Sequence, residues 1–426
     1  MKRFDRREFL KAAGLFSASL LAAGCAKQQA SKKPNIVFIM ADDMGYGDPG
    51  CYNPDSKIPT PHIDRLAEQG IKFTQAHSPG SLCIPARYGL LTGRYPFRSE
   101  KEIKGYSPAA LIEPGRMTIG GVLQKNGYRT ACIGKWHLGF ENIKDFDYEG
   151  PLNGGPYDHG FDEFFGMHAS LDIPPYYYIK DNKVVQAPTD SIDAHYTKDV
   201  TPIQGAFWRA GKIAPDFKHK EVLPKFTQKS IEFLQKQDEN KPFFLYLALA
   251  APHTPWLPSE QFKDKSQAGM YGDFTSQVDH HVGKVLKALD DLGLTDNTIV
   301  FFTSDNGPVW YKQDEQKHGH KSTHFLRGMK ADDFEGGHRM PFIARWPGHI
   351  PAGKATDEII CFTDMLATFA AVAGDNLPPN AGEDSYNILP VLLDKNYTKP
   401  LREATVIGDD VIIRGQWKLI IDSGYG

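Results

Sequence analysis

The sequence predicts an α/β fold built on a doubly wound, mostly parallel sheet, with a small C-terminal antiparallel subdomain. Two observations carry this. Short unbroken apolar runs rich in strand formers, at 35–40, 130–133, 243–251 and 298–302, alternate with helical patterns. Each run also ends in a polar cluster: Asp42-Asp43, Gly134-Lys135-Trp136-His137, Pro252-His253-Thr254-Pro255 and Ser304-Asp305-Asn306-Gly307. Open α/β sheets gather their sites at the carboxyl ends of strands, so the clusters and the runs support one another.

The length, 426 residues, suits one large α/β domain with a sizeable core and a smaller appendage. Apolar residues make up 41% and charged residues 24%, the balance of an ordinary globular domain. A net charge of −3, without a basic block in the mature part, argues against a nucleic-acid surface. Cys25, Cys51, Cys83, Cys132 and Cys361 are scattered, so they read neither as a disulfide framework nor as a zinc site.

In chain order, Arg6-Arg7-Glu8-Phe9-Leu10-Lys11 and the apolar run 12–23 read as a twin-arginine export signal. The run is short for a membrane span and ends in Leu21-Ala22-Ala23-Gly24-Cys25, similar to a bacterial lipoprotein cleavage site with Cys25 as the lipidated residue. Residues 1–25 are thus expected to be a signal peptide and 26–33 a tether. The mature protein is expected in the periplasm, or anchored to the outer membrane through Cys25. The first strand follows at 35–40, then a helix over 61–69 with Thr60 as its cap, Pro61 in its first turn and Gly70 closing it. A second helix is expected over 118–126, stopped by Gly127. Residues 140–240, rich in Gly, Pro and aromatics, read as long loops and short helices. Val278, Val282, Val285, Leu286 and Leu289 share one face of a helix over 276–292. Residues 404–422 alternate like antiparallel strands, with turns at Asp409-Asp410 or Arg414-Gly415. The catalytic domain is therefore set at 34–395 and the C-terminal subdomain at 396–426.

Between the first two strand-and-helix units lies Ser81-Leu82-Cys83-Ile84-Pro85-Ala86-Arg87, followed by Leu91-Thr92-Gly93-Arg94. Alone, C-x-P-x-R also fits a buried cysteine ahead of a proline-fixed helix start. With L-T-G-R at this spacing, the stretch resembles the signature of the type I sulfatases of the alkaline-phosphatase-like superfamily. In these enzymes the motif cysteine becomes formylglycine. Gly134-Lys135-Trp136-His137-Leu138-Gly139, and Lys330 ahead of Glu335-Gly336-Gly337-His338-Arg339-Met340-Pro341, match further elements of the family. Ile84 and Ala86 depart from the small or hydroxyl residues more usual in the variable slots. Members of the family usually continue beyond the point corresponding to Gly426, so the C-terminal subdomain is expected to be incomplete.

An adjacent Asp-Asp pair is by itself usually a solvated turn. Paired with Ser-Asp-Asn-Gly after a second strand, Asp42, Asp43, Asp305 and Asn306 form a hard oxygen set suited to Ca²⁺ and less to Mg²⁺. The resemblance implies that these four bind calcium together with modified Cys83. It further implies that one hydroxyl of the aldehyde hydrate attacks sulfur, and that loss of a proton from the other releases sulfate. On the same basis Arg87 orients the diol, Asp305 takes the nucleophile's proton, Lys135 and Lys330 hold sulfate oxygens, His137 deprotonates the second hydroxyl, and His253 protonates the leaving oxygen. Glu335 and Arg339 are expected to form a structural ion pair.

His318, His320, Lys321, His324 and Arg327 cluster after the second acidic strand end, as substrate contacts, a second metal site or simply a solvated loop. Tyr176-Tyr177-Tyr178 and Trp208 suit either sugar stacking or packing under loops. The whole predicts a sulfuric ester hydrolase acting on sulfated carbohydrate, dependent on a formylglycine-generating enzyme. A phosphonate or phosphate ester hydrolase and an inactive sulfated-glycan-binding lipoprotein are the alternatives.

Overall fold

The first apolar run forms strand β1 (Asn35–Asp42), and all of its residues are buried. Cover on both faces is why it reads as continuous apolar sequence and not as an alternation. Strands β2 (Ile71–His77), β3 (Arg129–Lys135), β4 (Glu163–Met167), β5 (Phe243–Pro252), β6 (Thr298–Ser304) and β7 (Arg339–Arg345) complete the body of the main sheet. Their spatial order is β2-β7-β6-β1-β5-β3-β4, and short strands extend both edges. β1 lies parallel to β5 and β6, and β3 parallel to β4 and β5. β7 is antiparallel to both β6 and β2. This computed structural model describes residues 32–421, except 104–106, 142–146, 199, 239, 396 and 398. The export and lipidation signals expected in residues 1–25 lie outside the described residues. No helix among the described residues is long and apolar enough to cross a membrane.

Two helical layers cover the sheet. One contains α1 (Pro61–Glu68), α4 (Val222–Gln235) and α5 (Gly269–Asp291), and the other α2 (Cys83–Thr92), α3 (Ile119–Lys125) and α6 (Met365–Val372). Phe369 of α6 packs its ring on Phe38, Phe244 and Phe301 from three adjacent central strands, with centroids 5.5 to 6.2 Å apart. A three-stranded antiparallel sheet, β8 (Thr405–Ile407), β9 (Val411–Arg414) and β10 (Trp417–Ile420), forms the small C-terminal layer with turns at both expected positions. Its Gly408 N–H donates to the Pro79 carbonyl at 2.9 Å, which ties it to the loop before Cys83.

Several elements differ from the sequence expectation. α5 starts seven residues before residue 276, because its first turns bury Tyr271, Asp273 and Gln277 as well as apolar groups, which hides the apolar period. Thr60 makes no capping bond. The cap comes from a distant residue, since the Asp279 carboxylate of α5 accepts from the N–H groups of His62 and Ile63 at 2.8 to 3.2 Å. The irregular region 140–240 contains β4 and the amphipathic helix α4, which buries one face, both obscured in the sequence by their mixed composition. Thr118 does cap α3, accepting from Gly121 N–H at 3.0 Å.

One glycine lets the sheet close beside the polar strand ends. Gly134 has φ 126°, and a Cβ there would stand 1.8 Å from the Ala248 carbonyl oxygen of β5. Replacing Gly134 with alanine is expected to destabilise the fold by about 3 kcal/mol through backbone strain and this clash. Thermal denaturation checks this, and an unchanged midpoint would contradict it.

Candidate active site

Strand ends deliver the polar residues to one edge of the sheet. β1 and β6 run in register, with Ala41 beside Ser304, so Asp42-Asp43 and Asp305-Asn306 emerge side by side. The Asp305 N–H donates to the Ala41 carbonyl at 3.1 Å. Met44 N–H is held by Ser304 Oγ at 2.9 Å. β3 ends at Lys135, and β5 ends at Pro252, the β1 partner of Asp42, so His253 arrives next. Cys83 is the first residue of α2, a helix buried along its whole length. The positive end of that helix therefore faces the acidic strand ends.

Asp42, Asp305, Arg87 and Lys135 are all fully buried. Burial of that many charges is tolerable only where they are paired. Arg87 grips Asp305 Oδ2 with Nε and Nη2 at 3.1 and 2.8 Å and lies 3.8 Å from Asp42. Its Nη1 donates to the Lys135 carbonyl at 3.1 Å. Lys135 Nζ in turn donates to Asp42 Oδ2 at 2.7 Å. Burial raises the Asp42 pKa, but Lys135, His253, Arg87 and Lys330 together outweigh it and hold the carboxyl well below its ordinary range.

Asp43 adopts the left-handed backbone conformation, φ 63°, and so does His137. Strain of this kind persists only where surroundings impose it. Behind Asp43, the Tyr271 hydroxyl donates to the Asp43 carbonyl at 3.1 Å and also contacts buried Asp48. Asp48 Oδ1 accepts from His320 Nε2 at 2.9 Å and Ser322 Oγ at 2.7 Å. Lys57 N–H donates to His320 Nδ1 at 3.3 Å, which fixes the ring proton on Nε2.

Lys330 reaches the same place from a loop. Gly307 N–H bonds to the Gly337 carbonyl at 2.9 Å, Lys330 N–H to that of Pro308 at 3.0 Å, and Ala331 N–H to that of Ser81 at 2.9 Å. Its Nζ donates to Asp43 at 2.6 and 2.9 Å and lies 3.6 Å from Cys83 Sγ. Cys83 Sγ is itself 3.6 Å from Asp42 Oδ1. Burial, only partly offset by Lys135 and Lys330, pushes the Cys83 thiol up to about 12, so unmodified it is a poor nucleophile at neutral pH.

These residues fit a hard divalent cation. Asp42, Asp43, Cys83 and His253 bring ligand-capable atoms within 4.8 Å of one another. Asn306 turns Nδ2 to Asp43 Oδ1 at 2.7 Å, while its buried Oδ1 has no hydrogen-bond partner among the described residues. An orphaned buried amide oxygen beside three carboxylates is what an oxygen-binding cation site requires. Asp42, Asp43 and Asp305 balance Arg87, Lys135 and Lys330 in formal charge, so a divalent ion would leave the pocket positive toward an anionic ester.

His253 Nδ1 bonds to the Thr254 carbonyl at 2.7 Å, and Nε2 stands 3.7 Å from Asp43 Oδ2. Lys135 is the last strand residue and His137 has left-handed backbone, so strand alternation does not set the direction of the His137 ring relative to Lys135. His137 still lies among the site charges. Burial, then Lys135 and Arg87, lower its pKa well below the ordinary histidine value.

A small cleft of about 120 Å³ opens over Asp43, His253 and Lys330. None of His318, His320, His324 and Arg327 lines it. His320 is buried in the Asp48 network, His318 packs on Trp310, His324 on Phe325, and Arg327 over Phe334 at 3.6 Å. Glu335 and Arg339 part company: Glu335 pairs with Lys418 at 3.1 Å, while Arg339 starts β7 and donates to the Thr74 carbonyl of β2 at 2.6 Å. Tyr176, Tyr177 and Tyr178 are buried packing groups. Two cleft residues, Asp172 and Arg209, come from the stretch that the sequence presents as loops. An Asp a few residues beyond the short apolar run Phe164-Phe165-Gly166-Met167 was their only signal.

Comparison with known proteins agrees with this geometry. The sulfatase family model matches residues 34–375. An N-acetylgalactosamine-6-O-sulfatase of Bacteroides thetaiotaomicron is 35% identical, over 94% of this chain and 86% of its own. Human N-acetylgalactosamine-6-sulfatase and human arylsulfatase A are each 36% identical, over 87% and 88% of this chain and 68% and 71% of their own. A solved sulfatase from glycosaminoglycan metabolism in Bacteroides thetaiotaomicron superposes with a TM-score of 0.81 at 35% identity, covering 91% of this chain and 88% of that one. A phosphonate monoester hydrolase of Agrobacterium radiobacter shares the fold, with a TM-score of 0.63 at 17% identity, over 92% and 88%. The cysteine at the head of a buried helix, the paired acidic strand ends and the matched relatives lead to one conclusion: the chain belongs to the sulfatase family and is a sulfuric ester hydrolase.

Proposed function

We propose that this protein removes sulfate from a sulfated glycan, using a formylglycine made from Cys83 and a bound calcium ion. What carries the reading is the convergence on Cys83 Sγ of Asp42 and Lys330, each 3.6 Å away, within a cluster of three carboxylates, three cations and the orphaned Asn306 oxygen. When present, the aldehyde hydrate would supply the nucleophile and calcium the charge that polarises it and holds the ester. Asp42, Asp43, Asp305 and Asn306 would ligate the ion. Lys135 and Lys330 supply positive charge for the sulfate oxygens, and Arg87 fixes Asp305 and the end of β3. His253, with Nδ1 committed to a carbonyl, has Nε2 to protonate the departing alcohol. His137, kept neutral by burial and by Lys135 and Arg87, would take the proton of the second hydroxyl.

The relatives named as N-acetylgalactosamine-6-sulfatases favour a 6-sulfated N-acetylhexosamine as the sugar. Twin-arginine export, lipidation at Cys25 and a periplasmic or outer-membrane location belong to the same proposal, resting on residues 6–25. Because that export route carries folded protein, a cytoplasmic formylglycine-generating enzyme has time to act first. The tether 26–33 then leaves the catalytic domain free of the membrane surface.

Three outcomes test the chemistry. A calcium chelator is expected to abolish aryl sulfate hydrolysis and lower the thermal midpoint, with calcium restoring both. Aryl sulfate turnover should exceed aryl phosphate turnover, and a phosphate preference would contradict the reading. Arg87→Lys loses the two-pronged grip on Asp305 and is expected to cut kcat about 100-fold. A lysine variant with wild-type kcat would remove Arg87 from the account.

A further inference from the structure

Asp172 has a hydrogen-bonding capacity that the chain leaves unused. It is 6% exposed and lines the small cleft beside His253, Asp43 and Lys330. Arg209 Nη1 binds its Oδ2, and Nη1 and the Arg209 N–H also donate to the Asp172 carbonyl at 3.2 and 3.3 Å. The guanidinium of Arg209 rests over the Phe207 ring at 5.1 Å. The carboxylate is therefore held in one orientation. Its other oxygen, Oδ1, has no hydrogen-bond partner among the described residues. His253 Nδ1 stands 4.0 Å away, and that nitrogen already bonds to the Thr254 carbonyl. An unpartnered buried carboxylate oxygen is costly, and a ligand that brings a donor recovers that cost.

Building on the sulfatase reading, we infer that Asp172 Oδ1 accepts a hydrogen bond from a ring hydroxyl of the sulfated sugar. Its place beside His253, the proposed proton donor, puts it on the side of the departing alcohol. A negatively charged group there would be repelled, whereas a hydroxyl supplies the missing donor. At about 120 Å³ the cleft falls well below the ~300–1,000 Å³ usual for larger ligands, so it admits no more than one sugar residue. Arg209 is the positioning residue that keeps Oδ1 turned inward. The Asp172–Arg209 pair thereby selects sugar sulfates over esters that carry no hydroxyl.

The test measures kcat/KM of wild type, Asp172→Asn and Arg209→Gln on two esters. One is 4-nitrophenyl sulfate, which has no ring hydroxyl. The other is whichever 2-, 3-, 4- or 6-sulfated monosaccharide the wild type turns over best, together with its monodeoxy analogues. In Asp172→Asn the ratio of sugar to aryl efficiency is expected to fall at least tenfold, the scale of a lost hydrogen bond to a charged acceptor. Arg209→Gln should shift the ratio in the same direction and less. One deoxy sugar should be poor for the wild type yet suffer no additional loss in Asp172→Asn. Equal losses on both esters, or an unchanged ratio, would overturn the assignment while leaving the sulfatase reading intact. A wild type that hydrolyses neither ester would overturn both.

Discussion

Two carboxylates that would repel each other stand side by side, fully buried, and the rest of the site is arranged to make that tolerable. Asp42 and Asp305 leave neighbouring parallel strands in register and are fully buried. Arg87 pairs with Asp305 and Lys135 with Asp42, and because Arg87 Nη1 also holds the Lys135 carbonyl, one guanidinium joins β1, β6, β3 and α2. Cys83 precedes Arg87 by about one helical turn, so the ion pair that stabilises the acids also sets the place of the sulfur. Such a buried cluster adds little net stability, but removing any member strands a charge, which makes its geometry rigid.

A second layer of support lies behind Asp43. The Tyr271, Asp48, Ser322 and His320 network holds the Asp43 carbonyl while its side chain faces Lys330 and Asn306. His320 thus acts through backbone placement, with its tautomer fixed by Lys57 N–H. A histidine in a polar loop looks available for binding in sequence, and only the fold reveals that it faces inward.

The central strands were legible because burial on both faces writes itself as uninterrupted apolar sequence, as in β1 and β6. The polar clusters were legible because each follows such a run directly. β4 and α4 were obscured by mixed composition, and the first turns of α5 by buried polar groups such as Asp273 and Gln277. Contacts between segments far apart in sequence, such as Asp279 capping α1 or Glu335 meeting Lys418, have no local signature. Asp172 and Arg209 were missed for the same reason: their relation to His253 exists only after folding.

The central claim is chemical: a buried thiol with its pKa raised to about 12 gives way to a better nucleophile at the same position. Mass spectrometry of the tryptic peptide 73–87, from protein produced in its native host, tests that claim most directly. The account predicts a mass in which the Cys83 thiol is replaced by an aldehyde or its hydrate. An intact thiol in protein that hydrolyses sulfate esters would contradict it.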